Sequence, residues 1–398
     1  MTYQIKPRSF LRELLIVIVF LFNSICAVVS KLIPSIRDFG DALIFIVVLL
    51  GMANCLLSRK VILRKFLLIN IAILLFAIGS FALYGFNGEI GLLLVNYFIW
   101  GVIISFFVTL EYDVKRVMNI ALVLSSFFLA VYLFHNSAKK ADSMAWTYGV
   151  FPCLSVCLTH MVFMKDQLGK IKWALYLPSY FICLQFVLDA NRGGWVSMIL
   201  LVYFLTIKVK IKQEPKMRNR VLWNLLFLTL IFVAVFLYEP IIKLLYEITT
   251  ALDIRFYAIE KTYRGILADN VTNNRTELYD FAWKGFLSSP VWGHGIGAFS
   301  VNHGGWPHNF FLQLLYEGGI LLFLLVLGPL VRIVWVVVRT DRITPAEYAL
   351  FVCFFANSIP KLLFSTQVWN VQGFWLLLAF GMMLLIRIQH NAQEEITE

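Results

Sequence analysis

Three side chains of this sequence combine a reactive type with a helix-opening position. His308 sits in Pro307-His308-Asn309, just ahead of a long apolar run. A helix beginning near Pro307 puts the imidazole in its first turn. The positive end of the helix dipole there disfavours imidazolium, so a neutral ring able to accept a proton is expected. Gly319 lies eleven residues on, about 20° around a regular helix from His308. It would let another helix pack closely beneath the ring. The alternative is a histidine that caps the helix or binds interfacial water.

Arg192 lies in Asp189-Ala190-Asn191-Arg192-Gly193-Gly194, between two apolar runs with almost no loop. A guanidinium suits bidentate phosphate binding. Pairing with Asp189, or snorkelling to headgroups, is the competing reading. Arg275 opens a segment over 275–288 that reads as a helix, with Asn274 and Glu277 spaced as a capping box. Its charge and the first amides of that helix can point at one anion. Otherwise it is a solvated loop charge.

These residues need a scaffold, and composition says which kind. The chain has 398 residues, 60% hydrophobic and 14% charged, with mean hydropathy +0.80. A soluble domain carries about 25% charged residues. Apolar runs predict an all-α, polytopic membrane bundle of about twelve spans: 11–29, 42–57, 66–86, 91–110, 118–134, 145–164, 173–189, 194–207, 221–238, 309–331, 348–363 and 371–387. No period-2 alternation supports a β-barrel. The first span is expected to be retained, since no small-residue cleavage site follows it before Lys31.

With the N-terminus inside, 22 of the 34 Lys and Arg residues fall in inner segments, which puts both termini in the cytoplasm. That bias accounts for the net charge of +11 without nucleic acid. The division is then 1–238 with nine spans, an outer loop at 239–306, and 307–398 with three spans and a cytoplasmic tail. Within the loop, 241–266 reads as one or two amphipathic helices lying near the membrane interface. Gly293, Gly295 and Gly297 form a tight turn after Pro290.

Several chemistries find no support. The glycine turn lacks the strand–turn–helix setting of a dinucleotide site. His294, His303 and His308 have no familiar zinc spacing. The six cysteines fall in apolar spans and read as small core residues. The acids Asp41, Glu89, Glu111, Asp189 and Glu317 sit at span ends or in loops, which weakens a proton-coupled transporter or flippase.

Taken together, these motifs resemble the O-antigen polymerase and O-antigen ligase superfamily of bacterial lipid-linked glycan transferases. The likeness rests on Asn191-Arg192-Gly193-Gly194. It rests also on the run from Arg275 through Pro290 to Gly293, Gly295 and Gly297, and on Pro307-His308-Asn309 followed by Glu317-Gly318-Gly319. It covers Asp189 to Gly319. Many members carry a further Gly where this chain has Leu322.

The resemblance implies a GT-C-like bundle in the bacterial inner membrane with a periplasmic site. It implies metal-independent glycosyl transfer from an undecaprenyl-diphosphate-linked oligosaccharide, without a cofactor. His308 would be the base and Arg192 and Arg275 would hold the diphosphate. Asn309, Gly293, Gly295 and Gly319 would support them. A chain-length regulator and a flippase are the implied partners beside the lipid bilayer. Pro307-His308-Asn309-Phe310-Phe311-Leu312 followed by Glu317-Gly318-Gly319 looks more like the polymerases than the ligases. A transporter and a non-catalytic assembly partner are the competing classes.

Overall fold

A computed structural model describes residues 7–33, 39–56, 64–85, 87–108, 112–135, 143–213, 225, 229, 237–268, 270 and 275–397. The expected capping residue Asn274 and the body of the expected span 221–238 lie outside them. Among the described residues the chain is helical with no strand. The first helices are α1 (Pro7–Phe20), α2 (Phe22–Leu32), α3 (Phe39–Leu56), α4 (Arg64–Tyr84) and α5 (Gly88–Tyr97). A π-helical turn (Phe98–Ile104) carries α5 into α6 (Ser105–Val108). Then come α7 (Val114–His135), α8 (Ser143–Phe163), α9 (Lys172–Asp189) and α10 (Arg192–Gln213). The expected outer loop holds α11 (Tyr238–Ala251), α12 (Tyr257–Leu267), α13 (Arg275–Ser288) and α14 (Ala298–His303). The chain ends in α15 (Phe310–Arg339), α16 (Pro345–Phe364) and α17 (Gln372–Thr397).

Seven helices among the described residues are long and apolar enough to cross a membrane. There are eight if α1 and α2 form one span, but that pair bends by 70° around Leu21. Shorter apolar helices occupy the expected spans 42–57, 91–110 and 194–207. The chain is therefore a polytopic helical membrane protein, with fewer full-length spans among the described residues than the twelve expected from hydropathy.

Burial separates the inner helices from those facing lipid. The apolar window of α8 is 72% buried and those of α16 and α17 are each 67% buried. The windows at Phe66–Tyr84 and Gly169–Asp189 are only 28% and 22% buried, so most of their apolar side chains face outward, as lipid contact requires. Among the inner helices α8 packs on α7 and α16, and α16 on α17, while the buried rings of Trp369 and Trp375 pack on Tyr97 of α5.

α16 is firmly anchored at its start. Pro345 occupies the first turn, and Thr344 and Glu347 form a reciprocal capping box. Glu347, itself buried, pairs with Arg387 of α17. Tyr348 donates to the Phe204 carbonyl of α10 at 2.9 Å.

Two sequence expectations about α15 are corrected. The helix starts at Phe310, with Asn309 as its cap: the Asn309 side chain accepts from the amides of Phe311 and Leu312. His308 is thus outside the first turn, in a left-handed conformation with φ +52°. Nor does Gly319 lie on a continuous helix face. Gly318 and Gly319 are non-helical, Gly319 with φ +59°, and the helix breaks there.

The break is satisfied in a specific way. An unbroken helix would pair the Tyr316 and Glu317 carbonyls with the Ile320 and Leu321 amides. Here the two carbonyls accept instead from the amides of His294 (2.9 Å) and Gly295 (2.7 Å). The two amides donate to the carbonyls of Pro290 (2.8 Å) and Val291 (3.4 Å). The glycine turn lies directly in the break. A Cβ on Gly319 would overlap the backbone of Val291, and one on Gly293 would lie 2.5 Å from the Gly318 amide nitrogen. Gly319 therefore admits a loop backbone, not a second helix beneath His308.

Gly319→Ala should destabilise the protein by on the order of 3 kcal/mol, through left-handed strain and overlap with Val291. Gly305→Ala, at a glycine with open space around it, should be nearly neutral. Thermal unfolding in detergent reads both. Equal melting temperatures for the two variants would contradict the account of the break.

Candidate functional site

The C-terminal end of α16 is where the candidate residues meet. Its last carbonyls lack intrahelical partners and must find donors elsewhere. Arg275, the first residue of α13, donates from Nη1 to the Phe364 carbonyl at 2.7 Å. Trp306 donates from Nε1 to the Ser365 carbonyl at 3.3 Å. The His308 ring also hydrogen-bonds the Ser365 backbone. Arg275 and His308, 33 positions apart in sequence, are thus hung on two consecutive carbonyls.

Arg192 reaches the same place from α10. Asn191 caps that helix, its side chain accepting from the Gly194 amide at 2.8 Å. Gly193 and Gly194 then let the helix start lie hard against α8. A Cβ on Gly193 would lie 2.5 Å from the Tyr148 hydroxyl, and one on Gly194 would overlap Thr147. Arg192 is half-buried and near enough to Arg275 for the two charges to repel, with Tyr257 and Tyr279 from the 239–306 region close by. The two guanidiniums expected to bind an anion are therefore neighbours, each at a helix N-terminus.

His308 has the environment of a neutral imidazole. Burial holds its pKa below the ordinary value, and the nearby Arg275 charge pushes it down further, against the Ser365 hydrogen bond. The expected direction holds, but the leading cause is desolvation and not the helix dipole. Nδ1 is buried without a hydrogen-bond partner. With the ring proton donated to Ser365, that nitrogen offers a free lone pair. The Trp306 ring lies against the imidazole, centroids 5.1 Å apart. Keeping His308 left-handed costs on the order of 1–2 kcal/mol, which Pro307, the Asn309 cap and the Ser365 bond together hold in place.

The other histidines have structural settings. His294 Nε2 donates to the Gly285 carbonyl at 2.9 Å, and its ring packs on Tyr316. His303 stacks on Phe281 with centroids 4.9 Å apart. Among the described residues no three His, Cys, Asp or Glu side chains gather as a metal site.

The glycine turn serves the scaffold at three points. Gly293 sits in the α15 break, Gly295 sits against Ser80 of α4, and Gly297 against Ile90 and Leu93 of α5. All three have positive φ, as an L side chain rarely does. Glu317, on the other side of the break, is buried and accepts from Trp369 Nε1 at 2.7 Å and Gln313 Nε2 at 3.2 Å. It joins the broken helix to the start of α17.

Sequence reading missed Tyr148, Lys361, Ser365 and Trp306. The Tyr148 hydroxyl lies 2.5 Å from Ser365 Oγ, and the Lys361 ammonium lies 5.6 Å from the Tyr148 ring centroid. One signal was available: Lys361 is a lone cation near the end of an apolar run, on the side where orientation by Lys and Arg disfavours one.

Chemically, the arrangement offers two guanidiniums for an anion and a basic nitrogen beside them. No curated protein and no solved structure matches the chain. A family model does: residues 179–327 match the one described as O-antigen ligase, a segment that contains Arg192, Arg275, the glycine turn and His308. This match supports assignment of the chain to the O-antigen ligase and polymerase superfamily.

Proposed function

We propose that the protein is an O-antigen (surface polysaccharide) polymerase. It joins undecaprenyl-diphosphate-linked repeat units on the periplasmic face of the inner membrane, by metal-independent glycosyl transfer. The observation that carries this reading is the meeting of Arg192, Arg275 and His308 at the end of α16. An acceptor sugar hydroxyl attacks the anomeric carbon of the donor glycan. The new bond joins that carbon to the hydroxyl oxygen, and the bond from carbon to diphosphate oxygen breaks. His308 Nδ1 takes the hydroxyl proton, and the departing electron pair stays on undecaprenyl diphosphate. Arg192 and Arg275 stabilise that developing charge in a site partly shielded from water. Asn309 holds the start of α15 behind the base, and Gly293, Gly295 and Gly319 hold the loop that leads to it.

Trp306 beside His308 suits a sugar face, and the polyprenyl chain would lie along the apolar sides of the bundle. A chain-length regulator and a flippase are the expected partners. Exposed Leu244 and Ile248 on α11, with Leu252 just after its end, fit a helix resting in the lipid interface. The description of the matching family favours a second reading, a ligase that passes the same donor glycan to lipid A–core.

His308→Ala in the native host separates these readings. Loss of a polymerase leaves lipopolysaccharide core bearing at most one repeat unit. Loss of a ligase leaves bare core while lipid-linked polymer accumulates. An unchanged ladder on gels would remove His308 from the chemistry.

Replacing Arg192 or Arg275 by Lys keeps the charge but loses the bidentate geometry, so each variant should lose about tenfold or more in kcat/KM. Alanine variants should lose more. Wild-type rates in all four would exclude diphosphate binding by these residues.

The base must be neutral to act. Activity should therefore be fully present above the His308 pKa and fall as pH drops through it. Because burial and Arg275 depress that pKa, the acid limb of kcat/KM should lie below the ordinary imidazole value of about 6.5. In Arg275→Ala the limb should move to higher pH. A limb that stays put would show that Arg275 does not act on His308.

A further inference from the structure

We infer that Lys361 is a third cation of the diphosphate site, gripping the donor's phosphates together with Arg192 and Arg275. The inference rests on the diphosphate-linked donor proposed above and names a binding residue that the family match does not contain, since that match ends at residue 327.

One tyrosine gathers the three charges. The Lys361 ammonium lies 5.6 Å from the Tyr148 ring centroid. Arg275 is close enough to act electrostatically on the Tyr148 hydroxyl. Gly193, next to Arg192, abuts the same hydroxyl. Tyr148 is fixed in turn by Ser365, whose backbone also receives His308 and Trp306. Lys361 thus belongs to the same group of side chains through Tyr148.

The charge balance points to an anion. Among the described residues no carboxylate pairs with Lys361 or with Arg275; the latter is held by a carbonyl. Arg192 and Arg275 also stand at the positive ends of α10 and α13. The last turn of α16 provides partial negative charge near Lys361, which makes the residue tolerable before ligand arrives but does not neutralise Lys361 and Arg275. A diphosphate diester, with about two negative charges spread over several oxygens, does so. An ammonium complements the two forks as a mobile point charge.

Binding tests this directly, using the full chain purified in detergent. The probes are undecaprenyl diphosphate, undecaprenol and phosphatidylglycerol. The variants are Lys361→Gln, Lys361→Arg, Arg192→Gln and Arg275→Gln. Lys361→Gln should weaken undecaprenyl diphosphate binding about tenfold or more, and Lys361→Arg should stay within about threefold of wild type. Melting temperature is measured alongside. Lys361→Met, which keeps an unbranched apolar stem, replaces the Gln variant if that one does not fold.

Wild-type affinity in Lys361→Gln or Lys361→Met, with binding lost in both arginine variants, would overturn the role of Lys361 and leave the donor reading standing. Equal wild-type affinity for undecaprenyl diphosphate and undecaprenol would overturn the donor reading itself, and Lys361 with it. Phosphatidylglycerol competing as well as undecaprenyl diphosphate would identify a headgroup site, which also overturns the assignment.

Discussion

A broken helix must find partners for the backbone groups it releases, and inside a membrane protein water does not readily supply them. The break at Gly318-Gly319 releases two carbonyls and two amides, and residues 290–295 take up all four. Much of the candidate site follows from this exchange. It requires glycine at 293 and 319, since side chains there would occupy the space of the opposing backbone. It aims the chain leaving α13 back along α15. It also leaves Phe310–Glu317 as a separate short helical piece, free to tilt relative to the long part that follows. Glu317 then ties that piece to Trp369, so the start of α15, the glycine turn and the start of α17 are held in one register.

The electrostatics of the site follow from where helices end. α10 and α13 start there and bring positive ends with their own arginines; α16 stops there and brings bare carbonyls. Those carbonyls do not neutralise the arginines. They orient Arg275, His308 and Trp306 by directional hydrogen bonds while leaving the net charge positive. Orientation and charge are thus supplied by different parts of the fold. An anion can be attracted without unlocking the groups that surround it.

What the sequence made legible, and what it did not, divides along physical lines. Arg192, Arg275 and His308 stood out because ionisable residues at the ends of apolar segments are few. The helix Arg275–Ser288 was readable from its apolar stripe and its Ser288-Ser289-Pro290 stop. Gly319 was misplaced because angular spacing assumes an unbroken helix, whereas a Gly-Gly pair can equally mark an end. Tyr148 and Ser365 are 217 positions apart, and nothing in either local sequence announces the other. The bend at Leu21 had no signal either, with neither glycine nor proline at the turn. Hydropathy did not separate lengths, since a short apolar helix and a full span give similar averages over a window, and seven or eight full spans stand among the described residues where twelve were expected.

The bonds from Pro290 to Ile320 and from Gly295 to Glu317 also close a ring in the chain. Cys26, Cys153, Cys157, Cys183 and Cys353 are free, and backbone pairing here does what a disulfide does in a secreted domain. Tying the ends of a segment removes much of the wandering its middle would otherwise have, at a cost that grows only slowly with its length. His308 lies inside that ring. A protease cut at the exposed Gly304 would leave both halves attached to the scaffold, the behaviour of a cross-linked loop and not of a dangling one.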